Sequence, residues 1–137
     1  MRLWHQDLIT KLPRQQLLGQ HRECCALRGL GWGKPHSVVN YVFKHSLNEL
    51  EDYHALVMQE MEKRGYKVTI QWWLRGYRGK KFNYCPLGVD FIAPVKHLVY
   101  IEHDDNYLKE CIENLLGKGI VINEWIFEKN YTKPWRR

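Results

Sequence analysis

Arg22 and Glu23 stand side by side in a stretch dominated by arginine and glutamine: Arg14, Gln15, Gln16, Gln20, His21, Arg22 and Arg28, with Glu23 as its one acid. Adjacent helical residues point about 100° apart, so Arg22 and Glu23 are not held against each other. Gly19 lies one turn before Glu23, on the same side. Helical side chains lean toward the N-terminus, so a glycine there leaves open space in front of the carboxylate. Glycine inside a helix costs on the order of 1 kcal/mol against alanine. Close helix packing or close approach of a ligand offsets that cost. A carboxylate with space before it is a candidate proton carrier; the competing reading is a solvated surface acid. Arginine pairs with phosphates and glutamine reaches base edges; the competing reading is a solubilising polar face.

A second constellation runs from Trp72 to Tyr84, where Trp72, Trp73, Tyr77, Phe82 and Tyr84 interleave with Arg75, Arg78, Lys80 and Lys81 and no acid. Bases stack on aromatic rings while arginine and lysine take phosphates. The alternative is a core-lining loop with solvated charges. The net charge is +6, and the excess comes in blocks: basic over residues 1–46, 66–84 and 129–137, acidic between them. Such alternation predicts one basic and one acidic face, and a dense basic face meets a polyanion.

The histidines and cysteines, His5, His21, Cys24, Cys25, His36, His45, His54, Cys85, His97, His103 and Cys111, look scattered. None forms a Cys-x-x-Cys or His-x-x-x-His spacing, so no metal is expected, although a zinc site assembled from distant residues stays open. The four cysteines form no disulfide framework. Reduced thiols and a cytoplasmic location are expected, with no signal peptide and no membrane span.

These residues need elements to position them. A chain of 137 residues is one domain's worth, and no repeat or linker divides it. A helix is expected from Pro13 to Arg28, with Pro13 in its first turn, Gly29 as its stop and Leu17, Leu18, Cys25 and Cys24 toward a core. Residues 37–44 suit a short buried helix. Ser46 to Arg64 is the clearest element: Ser46 and Glu49 make a capping box. Leu47, Leu50, His54 or Tyr53, Val57, Met58 and Met61 follow a helical period, and Gly65 closes it. Residues 66–100 are irregular and aromatic, with a short extended pair expected around Val68–Leu74 and Leu98–Ile101. A last helix spans Asp104 or Asp105 to Leu116, stopped by Gly117. The tail from Glu124 is aromatic and basic. The class is mainly α, a compact single domain.

The order Gln15, Leu17, Arg22-Glu23 near the start of a short basic chain resembles the phage endonuclease V family of pyrimidine-dimer DNA glycosylases. The resemblance continues through Val39-Asn40-Tyr41-Val42-Phe43-Lys44, Leu47, Leu50 and the run Met58 to Tyr66. The opening Met1-Arg2-Leu3-Trp4 looks like bacterial members, and the likeness is strongest over residues 1–66. It implies a helical fold of the endonuclease V type in which the N-terminal α-amine attacks C1′ of a damaged nucleotide. A Schiff base forms, β-elimination nicks the strand, and the acid corresponding to Glu23 assists. The catalytic pair is then Met1 and Glu23. Arg2, Arg14, Gln15, Arg22, Arg28, Arg75, Arg78, Lys80 and Lys81 are the expected DNA contacts.

The physical chemistry agrees with that implication. An α-amine has a pKa of about 7.7–8.0, so roughly a tenth or more is neutral at pH 7, whereas a lysine needs strong perturbation. Arg2 is too large for ordinary removal of the preceding methionine, which assigns the amine to Met1 and gives Arg2 an adjoining phosphate-binding place. Gln16 stands where the phage enzyme has a histidine. The expected protein is a monomeric glycosylase and AP lyase acting on damaged duplex DNA without metal or cofactor. The alternatives are a non-catalytic nucleic-acid-binding module on the same scaffold and, further off, a metal-dependent nuclease.

Overall fold

The computed structural model describes residues 2–34, 38–82 and 90–122. Met1, the segment 83–89 and the aromatic, basic tail fall outside the described residues, so expectations placed on them are not met with a structure here.

Among the described residues three α-helices carry the fold: α1 (Arg14–Arg28), α2 (Leu47–Lys63) and α3 (Asp105–Gly117). A short 3-10 segment at Gln6–Lys11 precedes α1, and two more, at Asn40–Lys44 and Ile70–Trp73, lie between the helices. The mainly α class holds.

Pro13 is the N-cap of α1, and its end is built by glycine. Gly29 donates to the Cys25 carbonyl at 3.1 Å and Gly31 to the Ala26 carbonyl at 2.9 Å. A Cβ on Gly31 would lie 2.9 Å from the Ala26 oxygen, and one on Gly29 would lie 3.0 Å from the Arg78 oxygen. Here glycine is required for close approach rather than for a positive φ.

In α2, Ser46 accepts from the Glu49 N–H, as the capping reading expects. The Glu49 carboxylate pairs with His45 Nδ1 at 3.1 Å. Leu50, Tyr53, His54, Val57, Met58 and Met61 are all buried, and Gly65, at φ +88°, turns the chain out of the helix. Asp104 caps α3 by accepting from the Tyr107 N–H at 2.8 Å. That helix runs through Gly117, and the left-handed turn falls at Gly119, φ +83°.

The core lies where α1 packs on α2 beneath the leading segment. Leu3, Leu8, Leu12, Leu17, Leu50 and Tyr53 are fully buried, each worth about 1.5–3 kcal/mol relative to exposure. α3 adds Cys111 and Leu115.

The expected extended pair does not form among the described residues. Ile70–Trp73 is 3-10, and pairing is limited to one antiparallel bridge between Leu74 and Phe91. The Trp72, Leu74 and Tyr77 carbonyls are taken by the Arg28 guanidinium at 2.8, 3.1 and 2.9 Å. Side-chain donors there replace the ladder a strand would need.

Candidate active site

Side chains hold the leading segment at several backbone groups between Arg2 and Gln6. The Trp4 N–H donates to Gln20 Oε1 at 2.6 Å, and the Tyr53 hydroxyl donates to the Trp4 carbonyl at 2.5 Å. Tyr107 donates to the Leu3 carbonyl. The Gln6 N–H donates to His103 Nδ1 at 3.1 Å, which leaves His103 Nε2–H to donate to the Tyr41 hydroxyl at 2.7 Å. Leu3 and Trp4 are buried beneath this lattice. Termini ordinarily fray; this one is tied from Arg2 onward.

Gln20 is the centre of the arrangement. Its Nε2 donates both to the Arg2 carbonyl and to Glu23 Oε2, each at 2.9 Å. One buried nitrogen therefore joins the leading backbone to the candidate carboxylate. Glu23 lines an open cleft of about 260 Å³ with Arg2, Trp4, Val38, Asn114 and Lys118. Arg2 reaches toward α3, 3.4 Å from Glu110, with its guanidinium 5.8 Å from the Tyr107 ring centre. Burial opposes its charge, but Tyr107, Cys111 and Glu110 outweigh it and raise its pKa. The space over Gly19 is taken by Arg22: a Cβ at Gly19 would meet Arg22 Nη2 at 3.7 Å. The glycine thus seats a guanidinium one turn from Glu23.

Among the expected DNA contacts, Arg14, Gln15, Arg22, Lys80 and Lys81 are exposed. Arg14 lies over the Tyr66 ring at 5.6 Å. Arg75 and Arg78 are half-buried and partly committed. Arg75 pairs with Asp52 at 2.5 Å and Glu51 at 3.2 Å. Arg78 donates to the Arg28 and Gly29 carbonyls at 2.7 and 3.0 Å.

Arg28 corrects the sequence reading. It is fully buried. Its guanidinium is spent on three carbonyls, lies 3.0 Å from His54 Nδ1 and 3.8 Å from Glu51, and sits over the Trp72 ring. A phosphate cannot reach it, so its role is structural.

The scatter of histidines and cysteines also resolves differently for three residues. His21 and Cys25, one turn apart on α1, meet His54 from α2, with one ligand atom of each within 4.8 Å of the others. Burial lowers the pKa of both imidazoles, helped by Arg22 and Arg28 at His21 and by Arg28 and His21 at His54. Burial pushes the Cys25 thiol up to about 12, so it is not a ready nucleophile.

A larger groove of about 1220 Å³ contains none of the expected site residues. Asp7, Glu60 and Glu62 face Lys11, Lys63 and Lys96 in its lining, a balance of sign that does not suit a polyanion.

Sequence reasoning missed the parts of Gln20, Tyr53, Tyr107 and His103. Gln20 carried a signal: it lies three residues after Leu17 and four before Cys24, on the buried stripe, where a polar side chain must find partners.

A family model described as pyrimidine dimer DNA glycosylase matches residues 1–74, which include the whole of α1 and α2 and the Gln20 clamp. No curated protein and no solved structure matches the chain.

Proposed function

This chain belongs to the pyrimidine dimer DNA glycosylase family, and we propose that it is a glycosylase with AP-lyase activity whose nucleophile is the α-amine of Met1. The neutral amine attacks C1′ of the damaged nucleotide, and the glycosidic bond breaks with its electron pair leaving on the base. Loss of a proton from nitrogen and opening of the sugar give the Schiff base. Removal of a proton from C2′ then expels the 3′ phosphate and nicks the strand. Glu23 holds the terminal ammonium, balances the positive iminium and carries the C2′ proton. Arg22, Arg14, Gln15, Lys80 and Lys81 take phosphates around a duplex bound by a monomer, and Arg2 serves the cleft itself.

The observation that carries this reading is the Gln20 amide, which binds the Arg2 carbonyl and the Glu23 carboxylate through one nitrogen. A backbone anchored one residue from the amine supplies the positioning that nucleophilic catalysis needs. The test is borohydride reduction during incubation with duplexes carrying a defined cyclobutane dimer or an abasic site. A covalent protein–DNA product, with nicking that persists in EDTA, is expected. Binding without any trapped product would identify a non-catalytic DNA-binding module instead.

A further inference from the structure

Glu23, Arg2 and the Gln20 clamp all lie within residues 1–74, the span of the family match. Tyr107, on α3, lies beyond it and still donates to the Leu3 carbonyl. Resting on the glycosylase reading, we propose that Tyr107 is a positioning residue for the nucleophilic amine, aimed by a hydrogen-bond relay that runs from His103 through Tyr41.

The Leu3–Trp4 peptide unit is gripped at both ends. Its N–H, on Trp4, donates to Gln20 Oε1 at 2.6 Å, and its carbonyl, on Leu3, accepts from Tyr107. A peptide unit is planar, so contacts on opposite edges fix its tilt, where one alone leaves a pivot. Gln20 also holds the Arg2 carbonyl, but through the same side-chain amide. Tyr107 therefore supplies the restraint on this peptide unit that does not depend on Gln20. The amine lies two residues upstream, a lever of about 7 Å. A tilt of about 10° would move it by about 1.2 Å, and a misplacement of about 1 Å costs on the order of 10²-fold in rate.

The direction of each proton in the relay follows from its far end. The Gln6 N–H can only donate, and it meets His103 Nδ1 at 3.1 Å. Nδ1 therefore accepts, and the ring proton sits on Nε2, which is 2.7 Å from the Tyr41 hydroxyl. Burial, with His5 stacked beside it, holds the His103 pKa well below its ordinary value and keeps the ring neutral. Tyr41 accepts from Nε2–H, so its own proton goes on to the Tyr107 oxygen. The Arg2 guanidinium donates to that oxygen too. With both lone pairs taken, the Tyr107 proton is left for the Leu3 carbonyl. The relay starts on the backbone of Gln6 and ends on the backbone of Leu3, and each donor strengthens the next.

The test is single-turnover cleavage of a duplex bearing an abasic site by the full chain, with DNA affinity and unfolding temperature measured on every variant. Tyr107→Phe keeps the ring stacked on His103 at 5.0 Å. It is expected to lower the rate at saturating protein about 10–100-fold while the Kd for the duplex changes by no more than about twofold. Tyr41→Phe should lower the rate less, and should add nothing in a Tyr107→Phe background, because both act through one hydroxyl. Tyr100→Phe is the control. That hydroxyl belongs to the same aromatic cluster, with its ring centre 5.6 Å from that of Tyr41, but has no hydrogen-bond partner among the described residues. Its removal should leave the rate unchanged. A lower unfolding temperature in Tyr107→Phe with the saturated rate intact, or an equal loss of rate in Tyr100→Phe, would overturn the inference alone. An unsubstituted chain that cleaves nothing would overturn the glycosylase reading and this inference with it.

Discussion

On one flank of α1, Gln20 holds the leading segment against Glu23; on the other, Arg28 holds the 70–78 segment against α2. Each does so by satisfying backbone groups from a buried polar side chain: the Trp4 N–H and Arg2 carbonyl in the first case, the Trp72, Leu74 and Tyr77 carbonyls in the second. The difference lies in what is left over. Gln20 has a second contact to spare, and it goes to Glu23 beside an open cleft. Arg28 turns its remaining contacts inward, to His54 and Glu51, and is sealed from solvent. The first flank presents a carboxylate to a cleft; the second binds an irregular segment to the helix pair. Residue type does not separate them, since arginine and glutamine occur on both the buried stripe and the exposed crest of α1. Position on the helical period does.

The largest effect that would break this contrast is on the Glu23 flank. Glu23→Gln should lower strand cleavage by about 10²–10⁴-fold while damaged-DNA binding is retained, measured by nicking and by gel shift. Cleavage at the unsubstituted rate would remove the assignment. On the opposite flank, Arg28→Leu orphans three carbonyls and should cost about 3–5 kcal/mol, a fall in unfolding temperature on the order of 10 °C by calorimetry. A neutral outcome would mean Arg28 does not brace the 70–78 segment.

Gln20→Ala tests the shared nitrogen. It should destabilise by about 1–3 kcal/mol and reduce cleavage about 100-fold through loss of positioning. An effect on stability alone would uncouple the clamp from catalysis. The neutral buried imidazoles set an acid limit. His21, His54 and His103 all have folded pKa values depressed by burial. Their contribution is complete above the unfolded value, about 6.5, and is lost as pH falls below it, by about 1.4 kcal/mol per pH unit for each histidine that must take a proton. Denaturant unfolding between pH 7 and pH 5 reads this directly. Finally, Arg22→Ala should lower the salt slope of DNA binding by about 0.9, as loss of one phosphate contact requires.

Most helix ends were legible because single residues make them: Ser46, Asp104 and Gly65 do what local capping chemistry expects, whereas Pro13, expected in the first turn of α1, stands one residue before it without a side-chain cap. Glu23 and Gly19 were legible as a pair, although the space over Gly19 holds Arg22. Arg28 was misread because a charge near a helix end reads as exposed, and only tertiary structure supplies the three carbonyls that make its burial favourable. The extended pair expected around Val68–Leu74 and Leu98–Ile101 was misread for the same reason: local propensity is silent about a guanidinium arriving from α1 to take the carbonyls of Trp72 and Leu74. The His21–Cys25 spacing was visible in the sequence, but His54 arrives from 29 residues beyond Cys25, and no local pattern carries that.

Above all, the α-amine of Met1, one residue before the Arg2 carbonyl that Gln20 holds, is expected to form the covalent bond to DNA. Borohydride-trapped complex should be digested with nuclease and protease and the adduct located by tandem mass spectrometry. The deoxyribose remnant is expected on the α-nitrogen of Met1. A remnant on the ε-nitrogen of Lys11 or Lys34, with Met1 recovered unmodified, would contradict it.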